Sequence, residues 1–394
     1  MQSGKVQYLE GLRGIAAVQV VLLHFVTGFM PHTAEHAWQP LCILFDGHTA
    51  VYVFFLISGA VLTPSFARPG PFAAKLCKRV VRLAIPVAAA AAIATALIAA
   101  MPHAHGTAAA LTGSKWLAMD SSGAPTFEHL AREIGLDSLV LGYREATLFM
   151  PLAPLLTPME HSLDAPFWSL HLELYGSLLV LCLVTLRGWS PLLHHIAIAA
   201  CAIVFGSHPL FLFVLGHLVP PPPVADQAHR LGSRGESMQG AFLLVLGLSM
   251  SATKNWPILE SVRGLLAHTE LASAPTLYQF QSQLAAIALF LGVRHARFLW
   301  PAIQSAPFGH LGRLSFSIYL LHFPILFTVI CLAFTALPSV PVAFALYLAL
   351  TLPAAIAFQR WIDAPTIALT HRLDTQRRNA VTSASAASGS IPNA

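Results

Sequence analysis

The sequence predicts an all-α polytopic membrane protein with about ten transmembrane helices and both termini cytoplasmic. Three observations carry that prediction. Of 394 residues, 56% are hydrophobic and only 10% are charged, whereas ordinary soluble domains carry about 25% charged residues. The mean hydropathy is +0.67, and the apolar residues gather into long runs bounded by Pro, Gly and charge. Finally, the basic residues segregate to alternate connections between those runs.

The runs fall at 11–30, 47–66, 83–101, 165–186, 191–206, 208–220, 238–253, 277–293, 313–335 and 342–361. LAIPVAAAAAIATALIAAM, from Leu83 to Met101, is the plainest full-length span. With the N-terminus inside, 17 of the 22 Lys and Arg lie on the inner side and 5 lie outside, as the positive-inside bias requires. The net charge of +5 is therefore a topology signal and a contact with anionic lipid headgroups, not a nucleic-acid footprint. The expected location is the inner (cytoplasmic) membrane, as a multi-pass protein. Glu10 and Arg13 abut the first run and many spans follow, which suits a retained helix rather than a cleaved signal.

One membrane domain is expected over residues 1–362. Its longest outer segment, about 102–161, is rich in Pro, Gly and Ser yet holds Trp116, Phe127, Tyr143 and Phe149, so it is expected to pack over the outer face as loops and short helices. PPPP at 220–223 opens a cytoplasmic loop. Residues 363–394 form a cytoplasmic tail whose last stretch, AVTSASAASGSIPNA, reads as disordered.

Four polar groupings inside the apolar runs stand out, because polar groups in lipid are costly and tend to face a protein interior or a water-filled cavity. Arg13 and His24 are eleven helical steps apart, which leaves them about 20° apart on one face and about 16 Å apart along the axis. Glu10 and Arg13 are spaced to pair. Arg13 snorkelling to the headgroups is the structural alternative. Functionally, His24 has the chemistry of a general base toward a hydroxyl. In KLCKRVVRLAIP, Lys75, Lys78, Arg79 and Arg82 make one basic face, suited to anionic lipid or to the phosphates of a cytoplasmic ligand, which guanidinium binds bidentately.

FWSLHLELY places Trp168, Ser169, His171, Glu173 and Tyr175 at the start of the fourth span. The Trp and Tyr suit an interfacial belt, but a carboxylate this deep needs a partner or a task. In LGRLSFSIYLLHFPIL, Ser315, Tyr319 and His322 form a polar stripe just before Pro324, which can kink the helix. A structural role for His322 is as fitting as a catalytic one. FFLISGAVL offers the small patch Ser58, Gly59 and Ala60 for close helix packing.

Other chemistries leave no trace. Five cysteines lie scattered without metal-ligand spacing, so no metal site and no disulfide framework are expected. There is no phosphate-cradling Gly-rich loop, no paired-His zinc signature and no GxSxG elbow. No covalently bound cofactor is expected.

Taken in order, YLEGLRGIAAVQVVLLHF, FFLISGAVL, KRVVRLAIP, FWSLHLEL and LSFSIYLLHFPI resemble the acyltransferase-3 family of bacterial membrane proteins. The pieces run from residue 8 to about 325, with matching hydropathy to about 361. The resemblance implies transfer of an acyl group, acetyl by default, from cytoplasmic acyl-CoA to a hydroxyl of a glycan or lipid-linked saccharide at or across the membrane. It assigns the family's first-span Arg and His to Arg13 and His24, and its basic motif to Arg79 and Arg82. Glu10 stands where the family often has Asp, and Ala60 where it often has Phe. Leu174 replaces the second acidic residue of the family's tryptophan motif, so only Glu173 is retained.

The expected division of labour follows from that resemblance. Arg79, Arg82 and Lys78 hold the acyl-CoA phosphates, Arg13 lies along the pantetheine path, and His24 is the base. Glu173 orients a catalytic imidazole, while Tyr175, Tyr319, His322, His171 and Trp168 are candidates for the acceptor or oxyanion site. The competing class is a proton-coupled transporter or flippase without acyl transfer, for which intramembrane Arg, His and Glu are equally suited. Such folds often carry internal repeats, and none is evident here.

Overall fold

Apolar runs punctuated by Pro and Gly fold here as helices, since a backbone surrounded by lipid must satisfy its own N–H and C=O groups. The computed structural model describes residues 6–36, 39–118, 125–219, 233–266, 275–370 and 372, and among them there is no strand. The PPPP run and the tail beyond Arg372 lie outside the described residues.

The helices that build the bundle are α1 (Gln7–Phe29), α2 (Gly47–Phe66), α3 (Phe72–Ala100) and α4 (Trp168–Trp189). They are followed by α5 (Pro191–Phe205), α6 (Phe211–Leu218), α7 (Arg234–Ala252), α8 (Ile258–Leu266) and α9 (Leu277–His295). Last come α10 (Ala306–Ile325) and α11 (Val340–Phe358). Among the described residues, six helical stretches are long and apolar enough to cross a membrane. A seventh crossing arises if α9 and the helical segment Arg297–Ile303, bent by 78°, are counted as one span.

The apolar runs expected at 191–206 and 208–220 are shorter as helices. α5 has 15 residues and α6 has 8, about 22 and 12 Å at 1.5 Å per residue, against about 30 Å of hydrocarbon. The break between them falls at Gly206–Ser–His–Pro209, where Pro lacks the N–H to continue the ladder. Pro324 does not break α10. A π turn at Leu326–Ile330 follows it, and the helix runs on to Ala336, the wider turn absorbing the missing hydrogen bond.

Glycine allows two close helix crossings. A Cβ on Gly312 of α10 would stand 1.9 Å from the Glu10 carbonyl oxygen of α1. A Cβ on Gly59 of α2 would stand 2.2 Å from the Phe213 carbonyl oxygen of α6. The small Ser58–Gly59–Ala60 patch thus serves close packing, as small residues do between membrane helices. α1 packs most extensively against α10, which brings two polar stripes together.

Residues 101–118 and 125–167 cap one end of the bundle. They form helices at Ala104–Thr112 and Phe127–Arg132, a π turn at Glu133–Leu141 and several 3-10 turns. Side chains pin the cap to the helices below it. Ser114 Oγ donates to the Thr27 carbonyl at 2.9 Å, and the Leu148 N–H donates to His171 Nε2 at 3.2 Å. At the opposite, basic end, Lys75 Nζ donates to the Phe66 carbonyl at 2.6 Å and so closes the C-terminus of α2. α11 continues toward that end through Gln359–Asp363, where the Asp363 carboxylate pairs with Arg82 of α3.

Candidate functional site

Among the described residues, two chambers of the bundle gather most of the candidate polar groups. The smaller, about 150 Å³, opens toward the basic end and is lined by Arg13, Ser58, Arg79, Arg82, Glu173 and Ser315, with Phe54, Phe55 and Phe316 as its apolar walls. The larger, about 510 Å³, lies beneath the cap and is lined by His24, Thr27, His48, Trp116, Arg144, Glu145 and Trp168. Val51 and Tyr319 line both chambers. They form the septum between them.

Arg13 and His24 therefore do not share one cavity. The eleven-step spacing keeps them on one face of α1, but the septum falls between them, so each addresses a different chamber. Arg13 pairs with Glu10, Nη1 to Oε1 at 3.6 Å, the i, i+3 pair that the spacing predicts.

His24 is held by a chain of hydrogen bonds that sets its tautomer. His322, fully buried on α10, has Nδ1 at 3.0 Å from the Ile318 carbonyl and 2.7 Å from the Tyr319 carbonyl. Carbonyl oxygens only accept, so this nitrogen carries the proton, and Nε2 of the neutral ring is an acceptor. That Nε2 lies 3.1 Å from His24 Nδ1, which also lies 3.0 Å from the Val20 carbonyl. His24 Nδ1 accordingly donates to both, and His24 Nε2 is left with its lone pair. Rings of Trp116 and Phe323 pack around the imidazole, with centroids at 5.4 and 5.7 Å.

Glu173 is brought to a cation rather than to an imidazole. Its carboxylate pairs with the Arg79 guanidinium and accepts from Ser58 Oγ at 2.8 Å. Arg79 Nε donates to Ser177 Oγ at 2.7 Å, one turn further along α4. The partner that the sequence sought for this deep carboxylate is thus Arg79, and the group that orients His24 is His322. Arg82 pairs with Asp363, and its guanidinium lies 5.7 Å from the Phe316 ring centroid. Lys78, on the same helix, lines neither chamber.

The remaining candidates divide. Trp168 lines the larger chamber. Tyr319 Oη donates to the Pro166 carbonyl at 2.6 Å and accepts from Ser169 Oγ at 2.7 Å, so its proton is committed to holding the cap against α10. His171 and Tyr175 line neither chamber. Their rings pack together at 4.9 Å and against Phe149 of the cap.

Asp363, Ser177 and His48 were not singled out from sequence, and Trp116 was marked only as an aromatic of the outer segment. Asp363 carried a usable signal, a carboxylate within an apolar stretch, but its partner Arg82 is 281 residues away. Among the described residues no group of three or more His, Cys, Asp or Glu side chains is arranged to hold a metal ion.

Comparison with known proteins bears on what such a pair of chambers does. No curated protein and no solved structure matches the chain. The family model described as an acyltransferase domain matches residues 6–360, which takes in α1, both chambers and the cap. On that match, the chain belongs to the acyltransferase-3 family of membrane acyltransferases.

Proposed function

We propose that the protein transfers an acyl group, acetyl in the simplest case, from acyl-CoA to a hydroxyl of a glycan or lipid-linked saccharide. The basic end faces the cytoplasm and the capped end faces outward, with the chain in the inner membrane. The positive-inside bias of the connections supports that orientation. The observation that carries the mechanism is the pair of chambers meeting at Val51 and Tyr319, with the lone pair of His24 in the larger one.

In this mechanism acyl-CoA approaches the smaller chamber, its phosphates drawn by the basic face of α3. Arg82, 29% exposed, is more accessible than Arg79 at 16%, so it meets the phosphates while Arg79 stays locked to Glu173. The thioester passes Arg13 and enters the larger chamber between Val51 and Tyr319, whose side chains part to admit it. The acceptor enters beneath the cap, and His24 Nε2 takes the proton of its hydroxyl as the oxygen attacks the thioester carbonyl carbon. The tetrahedral intermediate collapses with cleavage of the C–S bond, the thiolate leaves, and His24 returns the proton to it. The products are the ester and free CoA. His322 accepts from His24 Nδ1–H throughout, so it stabilises the imidazolium as an orienting partner does in other base-assisted acyl transfers.

The test is transfer of labelled acetyl from acetyl-CoA by purified protein to glycan-bearing membranes from a strain lacking the gene. Wild-type protein is expected to label them and His24→Ala to lose at least 100-fold in rate, about the contribution of a positioned base, while still inserting and folding. Full activity in that variant would remove His24 from the mechanism.

A further inference from the structure

His48 lines the larger chamber together with His24, and nothing in the reaction above uses it. Its Nδ1 is enclosed and has no hydrogen-bond partner among the described residues. An enclosed nitrogen without a partner is tolerated better as a lone pair than as an N–H, because orphaned buried donors are the rarer and costlier case. The proton of the neutral ring then sits on Nε2, on a residue that lines the chamber.

Three parts of the fold converge to hold this ring in place. Its face meets Tyr278 of α9 edge-on, with centroids 5.2 Å apart and planes at 73°. Tyr278 Oη donates to Asp46 Oδ1 at 3.2 Å, and the Lys254 ammonium lies 5.6 Å from the Tyr278 ring centroid. Asp46, buried ahead of α2, accepts from the Thr49 N–H at 3.2 Å and from Ser251 Oγ of α7 at 2.6 Å. A buried carboxylate satisfied by three donors is an expensive device for fixing the start of one helix. Its effect is to present His48, two residues on, at a fixed place in the chamber wall.

The larger chamber thus holds two imidazoles of opposite character. His24 offers a lone pair and His48 offers an N–H. We propose that His48 is an acceptor-positioning residue whose Nε2–H donates to an oxygen neighbouring the hydroxyl that His24 deprotonates. The acceptor so recognised carries at least two oxygens close together, as adjacent hydroxyls of a saccharide do. Asp46 and Tyr278 act through His48 by holding its ring. This proposal rests on His24 being the base toward an acceptor in the larger chamber.

The test uses purified full-length protein, labelled acetyl-CoA and a concentration series of membranes from a strain lacking the gene. His48→Phe is expected to raise the apparent KM for acceptor membranes at least ten-fold, with the KM for acetyl-CoA unchanged. His48→Gln, whose amide places an N–H near the position of Nε2, is expected to recover most of that loss. His48→Met supplies the same deletion should the phenylalanine variant fail to fold. An unchanged acceptor KM in the deletion variants, or a glutamine variant no better than they are, overturns the proposal while leaving His24 as the base. Absence of transfer by the wild-type protein overturns the underlying mechanism and this inference together.

Discussion

At the residue scale, the behaviour of each buried histidine here follows from what its second nitrogen touches. His322 donates to two backbone carbonyls and can then only accept at Nε2, so it fixes the proton of His24 on Nδ1. A carboxylate in that place would bring a full charge into the bundle, at a desolvation cost an imidazole avoids. His322→Phe, which deletes the acceptor, is expected to lower kcat about 10–100-fold, the usual penalty for losing an orienting partner, with little change in acyl-CoA KM. His322→Gln, able to accept through its amide oxygen, should retain more activity than the phenylalanine variant. Equal rates for the two variants, measured with labelled acetyl-CoA, would show that the hydrogen bond does not matter. Glu173 illustrates the converse. It neutralises Arg79, and breaking such a pair leaves a largely buried charge without compensation.

At the scale of elements, the site depends on how closely α1 and α10 approach. His24 and His322 lie on those two helices, 298 residues apart, and their hydrogen bond exists because glycine lets the backbones touch. Any side chain at Gly312 meets the Glu10 carbonyl well inside contact distance, and the clash is with backbone, which cannot rotate away. Gly312→Ala is therefore expected to cost several kcal/mol, above the about 1–3 kcal/mol of ordinary overpacking, and to lower both the yield of folded protein and its Tm. Gly135→Ala, where an added Cβ meets nothing within 4 Å, is the matched control and should be neutral in the same thermal melt. A Gly312→Ala protein as stable as wild type would mean that α1 and α10 are not held at this distance.

At the scale of the whole molecule, the cap buries carboxyl groups whose protonation follows pH. Glu133 is fully buried in the cap, and burial pushes its carboxyl up to about 7 from 4.5, against the opposing pull of the Tyr143 hydroxyl and the Leu163 N–H. Asp164 is held well above the usual carboxylate range, chiefly by burial and then by the neighbouring Glu133. A carboxyl whose folded value is raised favours the folded state most below its unfolded value, and that stabilisation is lost as pH rises through the folded value. The cap is accordingly expected to loosen between about pH 4.5 and about pH 7, and Glu133→Gln should flatten that dependence. Hydrogen exchange of residues 127–164 across this range measures it, and an unchanged slope in the glutamine variant would place the titration elsewhere.

Membrane residence, the helical class and the family were legible in the sequence, because hydropathy, charge asymmetry and an ordered set of short motifs are local properties of a chain. Arg13, His24, Arg79, Arg82, Glu173, Tyr319 and Trp168 were recognisable as costly polar or amphipathic groups in apolar runs, and all seven line one chamber or the other. Which of them meet was not legible. Arg79 finds Glu173 94 residues away, and Arg82 finds Asp363 281 residues away, pairings that depend on helix order and crossing rather than on spacing. Apolar content likewise marked 191–206 and 208–220 as runs, but only the structure shows that they fold as two short helices packed against α2 and α4. Helix periodicity, a property of the backbone, puts Arg13 and His24 on one face of α1 whatever the fold around them. That a septum separates them and that His322 completes His24 emerges only in the folded bundle, because each depends on side chains delivered by a different helix.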